Sequence, residues 1–107
     1  MSRTDEELVR DAVNHLEILK RHLSRNDLDD ETVADAVSLR LSSAIESLSE
    51  ASIAFRKRTF GDSWKVIWAT RNLIAHGYAY INIAMIRSTV EQDVPELEHR
   101  LRESIGE

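Results

Sequence analysis

The chain has 107 residues, with 14 Lys and Arg against 19 Asp and Glu for a formal net charge of −5, and 42% of it is hydrophobic. It contains no cysteine, which excludes disulfide scaffolds, thiolate nucleophiles and Cys-based zinc or iron–sulfur sites. No apolar run approaches the roughly 20 residues of a membrane span, and no signal-peptide core follows the N-terminus. The expectation is a soluble, cytoplasmic protein folded as one helical domain over residues 1–107.

With three glycines and one proline, the chain has few breakers, so long helices are expected. Thr4-Asp5-Glu6-Glu7 reads as a capping box, with acids in the first turn where the helix dipole favours them. Leu8, Ala12, Leu16, Leu19 and Leu23 follow at helical period, and the polar stretch from Ser24 to Asp30 ends the helix. A second helix is predicted from Asp30–Thr32 to about Lys57, with Val37, Leu41, Ala44, Leu48 and Phe55 on one face. Its low charge between Ser38 and Ala54 fits either burial inside one bundle or a homodimer seam.

Gly61 breaks the chain, and Asp62 or Ser63 caps a third helix carrying Trp64, Ile67, Trp68 and Leu73, with Gly77 its natural stop. A fourth helix is predicted from about Tyr80 to Glu91, with Ile81, Met85, Ile86 and Val90 inward. Asp93-Val94-Pro95-Glu96 opens a last one, because proline is tolerated in a first turn; Leu97, Leu101 and Ile105 mark its buried side. No strand-type alternation competes. The fold class is all-α, an antiparallel bundle of four to five helices.

Charge is uneven along the chain. Residues 55–72 carry five bases (Arg56, Lys57, Arg58, Lys65, Arg71) against Asp62 alone, whereas both ends are acidic. All six aromatics lie between Phe55 and Tyr80. Bases interleaved with aromatics suit nucleic acid, cations meeting phosphate and rings meeting bases; Arg56, Lys57, Arg58 and Lys65 are the candidate RNA contacts. The competing reading makes Trp64, Trp68 and Phe55 core residues, with Arg56-Lys57-Arg58 solvated at a helix end.

Within the third helix sits Arg71-x4-His76-x-Tyr78. Arg71 is a permanent cation whose planar fork suits phosphate oxygens. His76 can give or take a proton near neutral pH. RNA scission needs little more, because the 2′-hydroxyl is the nucleophile and the protein supplies proton transfer and a fixed positive charge. One His without neighbouring acids gives no support for a metal site. On an unbroken helix Arg71 and His76 would lie roughly 140° apart, so the helix is expected to end or bend near Gly77, or Arg71 to reach around. The alternative is structural: His76 caps the helix C-terminus and Arg71 pairs with Glu46 or Glu50.

Trp64…Arg71-Asn72…Ala75-His76-Gly77-Tyr78, followed by Ile81, Ile86, Val90, Asp93 and Val94-Pro95-Glu96-Leu97, resembles the HEPN superfamily. It is most similar to the HepT-like branch, the toxin half of HepT/MntA toxin–antitoxin pairs. The resemblance is close over residues 64–101; the first half matches in helix layout, with Ile45-Glu46 at the place of a hydrophobic-Gly-Glu element but with Ala44 before it instead of the glycine pattern. It implies a homodimeric, metal-independent endoribonuclease of a type VII-like toxin–antitoxin pair, without cofactor, whose Arg71 and His76 face a dimer cleft with Asn72 in support. It also implies a cognate MntA-like nucleotidyltransferase that neutralises the toxin by adenylylating Tyr78. A non-catalytic helical dimer that binds such a nucleotidyltransferase is the second expectation.

Overall fold

A computed structural model of the chain describes residues 3–76 and 82–107. The described residues form an all-α bundle: α1 (Asp5–Arg25), α2 (Glu31–Ser49), α3 (Ile53–Thr59), α4 (Ser63–Ala75), α5 (Ile83–Ser88) and α6 (Val94–Ser104), the last two joined through a π-helical stretch at Thr89–Asp93. None of these helices is long and apolar enough to cross a membrane.

α1 follows its sequence signals. The Thr4 hydroxyl accepts from the Glu7 N–H while Glu7 reaches back to the Thr4 N–H, so the capping box is complete. Leu8, Ala12, Leu16 and Leu19 are fully buried and Leu23 packs beside them. α2 starts on Asp30, whose carboxylate accepts from the N–H groups of Thr32 and Val33. It packs against α1 on one side and α4 on the other, burying Val37, Leu41, Ala44, Ile45 and Leu48. Burial within one chain therefore accounts for most of its low charge.

The predicted second helix does not run on to Lys57. It ends at Ser49, and Ser52 turns into an extended conformation to cap a separate α3, its hydroxyl accepting from the Phe55 N–H at 3.1 Å. The cause lies 47 residues away: the Asp5 carboxylate accepts from both the N–H and the hydroxyl of Ser52, at 2.8 and 2.7 Å. Those bonds hold Ser52 in a cap, and a cap cannot also be a helix interior.

α3 and α4 meet at Gly61, whose φ of +55° lies in the left-handed region. Its N–H bonds back to the Arg56 and Lys57 carbonyls, closing α3. A Cβ there would have room, its nearest neighbour being the Lys57 carbonyl at 3.9 Å, so glycine is needed for the backbone angle and not for space.

The predicted break before Pro95 is also absent. Helical geometry continues from Ile83 to Ser104, with the Val94 N–H reaching the Thr89 carbonyl five residues back. Pro95 has no N–H and would crowd the carbonyl four residues before it. A π-helical stretch opens the ladder at that place, so the chain passes proline without stopping. α5 begins at Ile83, capped by the Asn82 side chain on the Met85 N–H. Of its expected inward residues, Ile86 is fully buried, Met85 and Val90 pack against the core, and Ile81 lies outside the described residues. Leu97 and Leu101 are buried and Ile105 packs beside them.

Candidate functional site

The C-terminal half of α4 carries the arginine–histidine pair. Arg71 sits one helical turn after Trp68, and its guanidinium carbon lies 4.8 Å from the indole centroid. Nη2 is 3.3 Å from Glu46 Oε2 of α2, and Nη1 donates to Asn72 Oδ1 at 3.2 Å. The Arg71 side chain is only 19% exposed, whereas Glu46 is 56% exposed, so this ion pair is a rim contact and not a core salt bridge. Of the two carboxylates suggested by the sequence, Glu46 makes the contact; Glu50 is absent from the ion pairs of the described residues.

α4 ends at Ala75, and His76 takes the C-cap position with φ −115° and ψ 11°, exposed to solvent. The helix thus stops immediately before the histidine, one residue ahead of the expected break near Gly77. The His76 N–H donates to the Asn72 carbonyl at 2.9 Å. The Asn72 side chain contacts Arg71, while its carbonyl takes the regular i→i−4 helix bond from the His76 N–H. Tyr78 and Gly77 lie outside the described residues.

The other expected RNA contacts divide into two kinds. Lys57 and Lys65 are exposed and belong to none of the ion pairs of the described residues. Arg56 and Arg58 lie over aromatic rings, Arg56 at 5.1 Å from Trp64 and Arg58 at 5.7 Å from Phe55. Trp64 and Trp68 are themselves stacked at 6.0 Å and 21°, and Phe60 tilts against Trp64 at 5.7 Å. The interleaving of bases and aromatics is therefore satisfied largely inside the chain. Both tryptophans are half-buried and pack against the core. Sequence reasoning read the bases and rings either as one interleaved RNA surface or as core rings beside solvated cations; in the structure the cations lie over the rings, and the Trp64-x3-Trp68-x2-Arg71 spacing, about one helical turn per step, is the signal for the part within α4.

A groove of about 220 Å³ lies elsewhere on α4, between α2 and α6, lined by Leu41, Ile45, Val66, Thr70, Leu97 and Arg100 among others. Arg71 and His76 do not line it. Among the described residues, no group of three or more His, Asp or Glu is placed to hold a metal ion.

The fold and this helix end define an all-α protein with a cation, an amide and a histidine within about the last two turns of one helix terminus. A family model described as "Ribonuclease HepT-like" matches residues 9–104. The chain belongs to the HepT-like ribonuclease family. No curated protein and no solved structure matches it.

Proposed function

We propose that the chain is the toxin endoribonuclease of a type VII-like toxin–antitoxin pair, cleaving RNA without a metal through Arg71 and His76. Membership in a ribonuclease family supports the reaction class. The observation that carries the assignment of residues is that α4 stops at His76, which places Arg71, with its partner Asn72, and an exposed histidine within six residues at one helix end. A fixed cation and a proton-transfer group at one helix end suit a reaction whose nucleophile belongs to the substrate.

In that reaction the RNA 2′-oxygen forms a bond to the adjacent phosphorus, and the bond from phosphorus to the 5′-oxygen breaks. A histidine takes the 2′-hydroxyl proton, and a histidine returns one to the leaving oxygen. Arg71 faces the negative charge that grows on the phosphoryl oxygens. The products are a 2′,3′-cyclic phosphate and a 5′-hydroxyl. Two protomers would supply two histidines, and the homodimer is part of this proposal; the exposure of Val66 and Leu73 on α4 supports it. The antitoxin in this reading is an MntA-like nucleotidyltransferase that adenylylates Tyr78, adding bulk and negative charge beside the pair.

Purified protein in excess EDTA should cleave RNA and leave cyclic-phosphate ends. His76→Ala should lower the rate by at least about 100-fold with helical circular dichroism retained. Cleavage that survives this substitution removes His76 from the mechanism. The Arg71–Glu46 pair favours a second reading, a non-catalytic helical dimer that binds a nucleotidyltransferase. Co-purification with such an enzyme, with no cleavage and no growth arrest on expression, selects it.

A further inference from the structure

Four side chains of α3 and α4 form one continuous stack: Arg56 at 5.1 Å from Trp64, Trp64 at 6.0 Å from Trp68, and Trp68 at 4.8 Å from Arg71. Three buried side-chain polar atoms among the described residues have no hydrogen-bond partner, Ser38 Oγ and the Nε atoms of Arg56 and Arg71. Both nitrogens belong to the guanidiniums that lie over an indole. Arg58, over the phenyl ring of Phe55, is exposed, and its donors meet water. A buried N–H without an oxygen acceptor is costly. The electron-rich face of the indole beside it offsets that cost by attracting the guanidinium charge, and indole is the best of the aromatic faces for a cation.

We propose that Trp68 is a positioning residue for Arg71, resting on the reading of Arg71 as the cation that meets phosphate. A carboxylate can hold an arginine only by occupying its N–H donors. An indole holds it through the face of the guanidinium and leaves the donors free. The indole contact and the buried Nε keep the inner side of Arg71 against the chain, so the Nη edge is the part left to meet a ligand. That edge contacts only Asn72 and the exposed Glu46, the latter at 3.3 Å. A phosphate entering in that plane displaces Glu46, not the stack. Trp64 and Arg56 extend the stack and keep the far side of Trp68 covered. Trp68 is not among the residues on which the family resemblance stands.

The test compares Trp68→Leu, which fills volume without a π face, with Trp68→Phe, which restores a ring. In ¹⁵N-labelled protein, the Arg71 Nε–H resonance, identified by its loss in Arg71→Ala, should lie upfield of ordinary arginines. It should return to the ordinary position in Trp68→Leu and stay shifted in Trp68→Phe. An unshifted resonance in the parent protein, or one indifferent to Trp68→Leu, overturns the stack. In RNA cleavage, Trp68→Leu should lower kcat on the order of tenfold, Trp68→Phe should recover most of it, and Trp68→Leu should add nothing to Arg71→Ala. Equal losses with and without Arg71 mean general packing and overturn the positioning role. If the parent protein cleaves no RNA, the proposed function falls while the resonance still decides whether Trp68 positions Arg71. Should Trp68→Leu fail to fold, Trp68→Met replaces it in both measurements.

Discussion

His15 of α1 and Arg40 of α2 meet with 3.1 Å between Nδ1 and Nη1. A guanidinium only donates, so Nδ1 must be the acceptor and the ring is neutral with its proton on Nε2. Burial holds the His15 pKa below its ordinary 6.5, the Arg40 charge pushes the same way, and Asp11 opposes them weakly. Above the ordinary value both folded and unfolded chains keep His15 neutral. As pH falls below it, the unfolded chain takes up a proton that the folded one resists, so stability is lost on acidification. The urea midpoint should therefore fall between pH 7.5 and 5.5, and His15→Gln, whose amide oxygen can accept from Arg40, should flatten that fall. Parallel curves for the two proteins would assign the loss to other groups. Asp5, held low chiefly by its bonds from Ser52, contributes in a separate and lower window, its stabilisation disappearing as pH drops below about 3.8.

At the scale of elements, α4 is the anomaly. It carries two tryptophans, two isoleucines, a leucine and a valine, yet none of its residues is fully buried. Val66 is 69% exposed and Leu73 58%, and seven residues apart they share one face. The polar residues of α4, Lys65, Thr70, Arg71 and Asn72 among them, leave Val66 and Leu73 as an exposed apolar face that a second copy would cover. Leu73→Glu should shift the protein from dimer to monomer in light scattering, with helicity retained. A parent protein that is already monomeric removes the dimer from the proposed function. What could be read of these elements from sequence depended on distance along the chain. α1 is legible because its cap and its stripe are local. The end of α2 is not, because Asp5 breaks the helix from the far end of the sequence, and Pro95 looks like a stop only until a π-helical stretch lets the chain pass it. The same division holds at the site. Arg71, Asn72 and His76 are visible as a motif, and Glu46 as one of two possible partners. The Trp64–Trp68–Arg71 part of the stack is latent in the helical spacing, whereas Arg56 joins it only once α3 and α4 are folded together.

For the whole molecule, the net charge of −5 hides a division of labour. On the α1–α6 side the acids are paired: Glu17 and Glu98 hold Lys20 and Arg102, raising the pKa of both bases and lowering that of Glu17. These exposed pairs add little stability singly; their larger effect is to leave few uncompensated cations on that side. On α3 and α4 the balance is reversed, and Lys57, Arg58 and Lys65 are exposed while Arg56 is half-buried with its Nε buried, which leaves those three and Arg71 as the cations best disposed to meet phosphate. Four contacts on single-stranded RNA correspond to a slope of about −2.8 for log affinity against log salt, each contact contributing roughly −0.7. Five free cations would give about −3.5 on the same basis. Titrating a 2′-O-methyl oligonucleotide, which lacks the nucleophile, over a range of salt measures this without cleavage. Lys65→Gln should make the slope shallower by about 0.7, whereas Arg56→Gln should change it by much less. A slope that falls equally for both substitutions would mean that half-burial does not withdraw Arg56 from phosphate.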